Sequence, residues 1–213
     1  MKAVSLISGG IDSPVSSYLM LRSGVEVAYA HFHSFPIVSK SSIYKVIELV
    51  KILNRYQSPS TVYLIPFGDI QMYLRTRVDP RYLVILYRRF MLRIAERLAE
   101  EEKAEALVTG ESLGQVSSQT LQNLRVIDSA VTIPVLRPLI GFDKEEITSL
   151  AKSIGTYEIS IKPQEDCCTL FVPRRQVTAA KLEVVEEVER KLPIRKLIDS
   201  TLKKVEKIIV EGP

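Results

Sequence analysis

The stretch Ser8-Gly9-Gly10-Ile11-Asp12-Ser13 decides the fold of this 213-residue chain. An apolar, strand-like run at residues 3–7 precedes it, and a helix-like run at residues 14–22 follows it. Glycines have no Cβ, so backbone N–H groups can approach an anion there, and the following helix directs its positive dipole end at the same place. The hydroxyls of Ser8 and Ser13 add donors. The stretch therefore predicts a turn that cradles phosphate.

Asp12 is unusual in a phosphate cradle, because its carboxylate repels phosphate. A divalent cation between the two groups, which we take to be Mg²⁺, removes the conflict. The alternative is an ordinary turn between a strand and a helix, for which Gly, Asp and Ser are all common. The stretch matches neither GxxxxGK[ST] nor GxGxxG. It resembles the SGGxDS loop of pyrophosphatases that cleave ATP between its α and β phosphates.

The composition is that of an ordinary globular protein, with 46% hydrophobic and 25% charged residues. A net charge of +4 permits a nucleic-acid partner without requiring one. No apolar run approaches the length of a membrane span, and the N-terminus shows no signal-peptide pattern. Cys167 and Cys168 are sequence neighbours and cannot crosslink distant segments. We expect a cytoplasmic protein that does not enter the membrane.

Strand-like and helix-like runs alternate along the chain. This order, with continuously apolar strands, predicts an α/β fold: a parallel twisted sheet with helices on both faces. Ligands bind such sheets at the carboxyl ends of the strands. The Ser8 loop, His31-Phe32-His33 and Gly110-Glu111 should meet there. The predicted strands are residues 3–7, 25–32, 61–66, 106–109 and 132–136, and the predicted helices are 15–21, 40–56, 80–102, 118–124 and 143–153, the last capped by Asp143.

The C-terminal part is less regular. Residues 163–168 should form a loop, and residues 177–191 an amphipathic helix that ends before Pro193. Residues 197–210 form a basic amphipathic segment. We expect one domain over residues 1–213, with a core at 1–173 and a helical extension at 174–213.

One arginine in the long helix stands apart from the others. Arg89, Arg93 and Arg97 are spaced four apart, and we interpret their common face as solvated. Arg88 instead has apolar helical neighbours, where a guanidinium is costly unless it is paired or reaches a cleft. In one interpretation, the aliphatic stem of Arg88 packs on the core while its guanidinium extends to solvent. In the other, the guanidinium binds a phosphate. The spacing does not decide between these two alternatives.

Five motifs in order carry a resemblance to a known family. They are SGGIDSPV at 8–15, YRRFMLR at 87–93, TGESLGQVSSQT at 109–120, LRPLI at 136–140 and EDCC at 165–168. Together they resemble the catalytic domain of the tRNA 4-thiouridine synthetase (tRNA sulfurtransferase) family, which is also tied to thiamine thiazole synthesis. The resemblance covers about residues 2–173. It implies an adenine nucleotide alpha hydrolase-like fold, that of a PP-loop ATP pyrophosphatase.

The resemblance also implies the chemistry. ATP and Mg²⁺ bind at the loop, the O4 of a tRNA uridine attacks the α phosphate, and pyrophosphate leaves. Sulfur carried as a cysteine persulfide then displaces AMP and gives 4-thiouridine. The partners implied are tRNA and a persulfide donor such as a cysteine desulfurase.

The roles implied by the matching motifs fall into four groups. Leu6 and Ile7 hold the nucleotide at the strand end, and His31 and Phe32 line its adenosine pocket; Ser8, Gly9, Gly10, Asp12 and Ser13 take the phosphates and, through Asp12, the metal; Arg88, Gly110 and Gln119 complete the ATP contacts; Asp12 and Cys167 are catalytic. Each group has a structural alternative. His31 could be an unliganded histidine at a strand edge, Gly110 only a turn residue, and Gln119 only a surface amide; Cys167 and Cys168 could be small buried hydrophobic residues. Glu165 and Asp166 disfavour a thiolate beside them.

Two parts found in family members have no counterpart in this sequence, namely an N-terminal tRNA-binding region and a C-terminal rhodanese-like domain. We therefore expect weak tRNA binding by the chain alone, with missing contacts supplied by a separate tRNA-binding protein or a homodimer surface. Two other functions stay open: adenylation of a small molecule, and adenine-nucleotide binding without catalysis. Pyrophosphate release distinguishes the three.

Overall fold

The structure is a computed structural model that describes residues 1–114, 119–163, 171 and 175–212. Six strands in this part form one sheet, and helices lie between them. A 3-10 turn at Pro80–Tyr82 leads into the longest helix. The strands are β1 Lys2–Leu6, β2 Glu26–His33, β3 Ser60–Pro66, β4 Ala106–Val108, β5 Val135–Leu136 and β6 Glu206–Val210, and the helices are α1 Asp12–Arg22, α2 Ser41–Leu53, α3 Gly68–Arg75, α4 Leu83–Glu102, α5 Leu121–Asp128, α6 Lys144–Ser153, α7 Tyr157–Ser160, α8 Leu182–Arg190 and α9 Ile194–Leu202.

The sheet has the strand order β5-β4-β1-β2-β3-β6. β1 to β5 are parallel, and β6 pairs with β3 in the antiparallel direction. The chain moves outward from β1 through β2 to β3 and then returns to the other side of β1 for β4. The direction of strand addition therefore reverses at β1, and a crevice forms outside the carboxyl ends at such a point. The Ser8 loop follows β1 directly.

Both faces of the sheet are covered, as the apolar strands predict. Val4 and Ala28 pack on one face against α3, α4 and α9, while Val27 and Tyr29 pack on the other against α1 and α2. The capping box predicted for α6 is present: Asp143 accepts from the Glu146 N–H at 2.8 Å, and Glu146 accepts from the Asp143 N–H at 2.8 Å. No helix in the described ranges combines the length and apolarity needed to cross a bilayer.

The C-terminal extension, which was predicted to be helical, also contains a strand. The segment 197–210 ends one helix and then forms β6, so the sheet is mixed and the extension is not all helical. Ile208 and Val210 alternate towards the core on the α2 side, which fixes β6 beside β3. The predicted strand 132–136 is also shorter, at Val135–Leu136. The helix predicted from residue 177 starts at Leu182, and that predicted at 118–124 starts after its cap Thr120 and ends at Asp128.

The predicted solvated arginine face on α4 was wrong for Arg89 and Arg93, and it holds only for Arg97, whose side chain is 51% exposed. Arg89 is 2% exposed, because α8 lies against this face and brings Glu189 onto it. The Glu189 carboxylate accepts two hydrogen bonds from Arg89, at 2.9 and 2.8 Å, and two from Arg93, at 2.6 and 2.8 Å. The ion pairs therefore fix α8 on the long helix.

This cluster predicts a loss of stability in acid. Burial alone would raise the pKa of Glu189, but hydrogen bonds from Arg93 and Arg89 outweigh it and lower the pKa to about 2. A carboxyl whose pKa is depressed by folding stabilises the protein above its unfolded pKa, and that contribution is lost as pH falls. We expect the free energy of unfolding to drop by roughly 1–3 kcal/mol between pH about 4.5 and about 2. Denaturant titrations at several pH values measure it.

The matched variants are Glu189→Gln and Glu183→Gln, the second on the exposed side of the same helix. Glu189→Gln should be less stable at neutral pH and should lose much of the acid dependence, whereas Glu183→Gln should keep it. If the free energy of unfolding changes with pH in the same way in wild type and Glu189→Gln, ionisation of Glu189 does not contribute to the loss of stability in acid.

Candidate active site

A cleft opens at the carboxyl end of β1, where the strand order reverses. The loop after β1, the start of α1, the end of β2, the middle of α4 and the end of β4 form its walls. The lining residues are Leu6, Ile7, Ser8, Gly10, Asp12, Ser13, Phe32, Arg88, Met91, Leu92, Thr109, Gly110, Glu111, Gln119 and Ile127. The cleft thus has an apolar part between the strands and α4, and a polar part at the loop.

Two serines hold the loop in a closed turn. The Ser8 N–H donates to Ser13 Oγ at 2.8 Å, and the two hydroxyls lie 3.2 Å apart. The Gly10 N–H donates to Ser8 Oγ at 3.2 Å. α1 begins at Asp12 without a side-chain cap at Ile11, and its first residues, Asp12 and Ser13, line the cleft. The predicted phosphate cradle therefore has the geometry for an anion.

Gly110 must be glycine because it touches the loop. A Cβ on Gly110 would lie 2.7 Å from Ser13 N and 2.8 Å from Ser13 Cα. Backbone atoms cannot move aside cheaply, since Ser16 Oγ donates to Thr109 O at 2.9 Å and ties α1 to the end of β4. The close approach of the two segments thus fixes the loop against the fourth strand.

We expect Gly110→Ala to displace the loop. The predicted cost is about 1–3 kcal/mol of stability from overpacking, together with roughly a tenfold loss of ATP affinity. Thermal unfolding and calorimetry measure the two effects. Gly141→Ala is the matched control, because a Cβ there meets no atom within 4 Å. Wild-type ATP affinity in a folded Gly110→Ala protein would refute the close contact.

Arg88 reaches the cleft, and the structure identifies its partner. Its guanidinium is ion-paired with Glu111, whose side chain is 6% exposed. Glu111 also accepts from Arg137 Nε at 2.7 Å and from the Thr109 hydroxyl at 3.0 Å. The Arg88 head is thus paired with a buried carboxylate at the cleft, and its role as a phosphate clamp stays a prediction. A buried carboxylate behind a guanidinium holds it in one orientation at the cleft wall.

Asp12 lies at the mouth of the cleft. Its side chain is 33% exposed, and its carboxylate accepts from Lys144 Nζ at 2.9 Å, from the first residue of α6. No group of three or more His, Cys, Asp or Glu side chains in the described ranges is placed to hold a metal. Asp12 still fits Mg²⁺, which proteins often bind through one or two carboxylates together with substrate phosphates.

His31 lies behind the cleft wall and does not line it. The ring is 2% exposed, with Nδ1 3.0 Å from Ile7 O and Nε2 3.4 Å from Ser42 Oγ. Burial lowers the pKa of His31 to about 4, so the ring is neutral at physiological pH. With the proton on Nδ1 it donates to Ile7 O. In this geometry His31 supports a cleft-lining residue from behind.

The other predicted residues are placed as follows. Phe32 lines the cleft and packs edge-to-face on Phe67, with ring centroids 5.5 Å apart. Gln119 lies on the wall, with its Oε1 3.4 Å from the Ser112 N–H. Gly9 is buried within the loop. Cys167, Cys168 and the rest of EDCC lie outside the described residues, so the role assigned to Cys167 stays a prediction.

Several lining residues were not among the predicted site residues. Glu111 was signalled only by its place after the fourth strand. Met91 and Leu92 follow Arg88 at helical spacing, which marks a shared face. Ile127 lines the cleft from α5, and Lys144 of α6 contacts Asp12 at its mouth; no local pattern places either there.

Residues 1–194 match the family model described as "Thiamine biosynthesis protein (ThiI)". The chain belongs to this ThiI family. It is 50% identical over 212 residues, all but one of its own length, to a protein of Thermus thermophilus named "Probable tRNA sulfurtransferase", of which it covers 52%. It is 48% identical over 199 residues, 93% of its length, to a protein of the same name from Caldanaerobacter subterraneus, again covering 52%. This ThiI chain thus spans about half the length of the curated relatives it matches.

One solved structure agrees with the family assignment, and a second shares the fold. The ThiI chain superposes with a TM-score of 0.94 and 42% identity on a structure described as a 4-thiouridine synthetase–RNA complex with bound ATP, covering 99% of this chain and 55% of that one. It also resembles an NMN synthetase from Francisella tularensis, at a TM-score of 0.58 and 13% identity over 93% of this chain and 75% of that one. The second likeness shows the fold alone. The fold and family predicted from the sequence are confirmed.

Proposed function

We propose that this ThiI-family protein is an ATP-dependent tRNA sulfurtransferase that adenylates a tRNA uridine and replaces its O4 with sulfur. The observation that carries the proposal is the likeness, at a TM-score of 0.94, to a 4-thiouridine synthetase bound to RNA and ATP. The cleft adds support, because it joins an apolar wall suited to adenine with a loop suited to phosphate.

The chain's residues would divide the work by their position. Leu6, Ile7 and Phe32 line the apolar part and would hold the adenosine. The Ser8–Ser13 turn and the N-terminus of α1 would bind the phosphates, and Asp12 would hold Mg²⁺ against them. Mg²⁺ bound there would neutralise phosphate charge. Gly110 and Gln119 would close the wall.

Arg88 would act where charge develops. Attack of uridine O4 on the α phosphorus forms a P–O bond and breaks the bond to the β-phosphate oxygen, so negative charge moves to the leaving pyrophosphate. A guanidinium already oriented by Glu111 can stabilise that charge without rearranging. Gly110 and the loop serines would keep the phosphates in place for in-line displacement.

Sulfur transfer would then use a second nucleophile. The terminal sulfur of a cysteine persulfide attacks C4 of the adenylated base, and AMP leaves with the former O4. A thiol cleaves the remaining S–S bond and leaves 4-thiouridine with a disulfide. We assign the persulfide on this chain to Cys167, with a cysteine desulfurase as the class of donor. Cytoplasmic location, a homodimer or separate tRNA-binding partner, and a link to thiamine thiazole synthesis stay predictions.

The test is product formation. Purified protein, ATP, Mg²⁺, a persulfide donor and unmodified tRNA are incubated, and the digested tRNA is analysed for 4-thiouridine by mass spectrometry. We expect ATP-dependent 4-thiouridine at one uridine. If ATP is consumed and the tRNA gains no sulfur, this proposal fails.

A further inference from the structure

The basic segment at residues 197–210 is one candidate for contact with tRNA, but two of its lysines are paired. Lys204 Nζ lies 2.8 Å from Asp69, and Lys207 Nζ lies 2.8 Å from Glu102. Charge already neutralised by a carboxylate releases fewer counterions when phosphate binds. Another surface is therefore better suited to RNA.

That surface lies at the end of α3, and we call it the arginine shelf: Tyr73, Arg75, Arg77 and Phe171. Arg75 and Arg77 are both exposed, and neither is ion-paired to an acidic side chain within the described ranges. The Arg75 guanidinium lies 4.6 Å from the Phe171 ring centroid, and the Arg77 guanidinium lies 4.0 Å from the Tyr73 ring centroid. Two cationic heads are thus held in place by aromatic rings.

Stacking suits these arginines to phosphate. A guanidinium that packs its flat face on a ring keeps its in-plane N–H groups available, and those groups match phosphate oxygens. Arg77 Nη1 is used locally, since it donates to Thr76 Oγ1 at 2.9 Å and to Tyr73 O at 3.3 Å, while its other nitrogens make no hydrogen bond within the described residues. Because the rings restrict the side chains, less conformational entropy is lost when an anion binds.

The shelf lies on the same side of the sheet as the cleft. α4 contributes Arg88 to the cleft wall, and the turn before Arg88 contains Tyr87. α3 begins directly after β3 and packs on that turn, where the Tyr87 hydroxyl meets Gln71 O at 3.5 Å. α3 is eight residues, or about 12 Å, long. Gln71 lies four residues, or about 6 Å, before Arg75, so the end of α3 lies about one helical turn from its contact with Tyr87, the neighbour of Arg88.

We propose that the arginine shelf binds the phosphate backbone of the RNA whose target base enters the cleft. This inference rests on the proposed function, which supplies the RNA. Two exposed cations beside the cleft would fix the strand's register, while the cleft itself reads the target base. The shelf thus supplies contacts that the predicted C-terminal segment does not.

The test compares two charge reversals of equal size. Arg75→Glu with Arg77→Glu alters the shelf, and Arg195→Glu with Lys196→Glu alters exposed positions on α9. Fluorescence anisotropy measures the Kd for unmodified tRNA across a salt series, and calorimetry measures ATP binding. We expect the shelf variant to bind tRNA on the order of ten- to hundredfold more weakly near 0.1 M salt, with a log–log salt slope smaller by about 2. ATP affinity should be unchanged, and the α9 variant should stay within about threefold of wild type.

Each other outcome decides the proposal. Equal weakening by both variants would show general charge attraction and overturn it, as would undetectable tRNA binding by the wild type. If the shelf variant keeps its tRNA affinity and loses sulfur transfer only from a persulfide donor protein, the shelf is a protein-docking surface and the RNA proposal is wrong. Arg75→Lys with Arg77→Lys, which keeps the charge, should retain most binding and controls for misfolding.

Failure of the shelf and failure of the proposed function give different results. If the shelf variant loses tRNA binding but the wild type releases no pyrophosphate with tRNA, the proposal that the shelf binds RNA is supported. The proposed function is then contradicted. If the wild type releases pyrophosphate only with tRNA, and the shelf variant does the same at low tRNA concentration, the proposed function is supported. The proposal that the shelf binds RNA is then contradicted.

Discussion

Replacing Cys167 with serine should abolish 4-thiouridine formation and leave tRNA-dependent pyrophosphate release intact. Adenylation needs only the cleft, whereas sulfur transfer needs a sulfur nucleophile, and a serine hydroxyl cannot carry a persulfide. The structure anchors the chain just before this residue. Lys45 Nζ donates to Ser160 O at 2.8 Å and to Lys162 O at 2.6 Å, and Ser160 Oγ donates to Gly10 O at 3.2 Å. The start of the cysteine-bearing segment is thereby fixed to the phosphate loop.

The measurement pairs pyrophosphate release with analysis of digested tRNA for 4-thiouridine. Cys168→Ser is the matched control and should have the milder effect. If Cys167→Ser makes thiolated tRNA at the wild-type rate, the cysteine is structural, and sulfur arrives as free sulfide or on a partner protein.

Asp12→Ala should have the second large effect. The carboxylate would hold Mg²⁺ against the phosphates, and its loss leaves Lys144 without its partner at the mouth of the cleft. We expect ATP affinity in the presence of Mg²⁺ to fall roughly ten- to hundredfold, and pyrophosphate release to fall about a hundredfold or more.

Arg88→Ala should weaken ATP binding to a similar degree, because it removes a charge-assisted phosphate contact.

Calorimetry with and without Mg²⁺ measures the first effect, and the Asp12→Ala loss should be smaller without the metal. Asp69→Ala is the matched control, since Asp69 also lies in the first turn of a helix, α3, with its side chain 76% exposed. Unchanged ATP affinity in folded Asp12→Ala and Arg88→Ala proteins would refute the site assignment.

The sequence predicted what local patterns encode. The Ser8–Ser13 turn, the apolar strands and the cap at Asp143 are each specified within a few residues, and all three are present in the structure. The place of Gly110 beside the loop also followed, because parallel strands bring their carboxyl ends together.

What the sequence did not predict depends on contacts between distant segments. Helical spacing groups Arg89 with Arg93, but nothing local shows that α8 brings Glu189 onto that face from 100 residues away. The pairing of β6 with β3 is non-local in the same way, so a segment that reads as amphipathic could be strand. Arg88 was recognised as unusual, while its partner Glu111 required the fold.

The most direct test of the central claim is pyrophosphate release from the purified protein, with ATP and Mg²⁺, measured with and without unmodified tRNA. We expect release that depends on tRNA and is lost in Asp12→Ala. Release that depends on a small molecule and ignores tRNA, or no release under either condition, would contradict it.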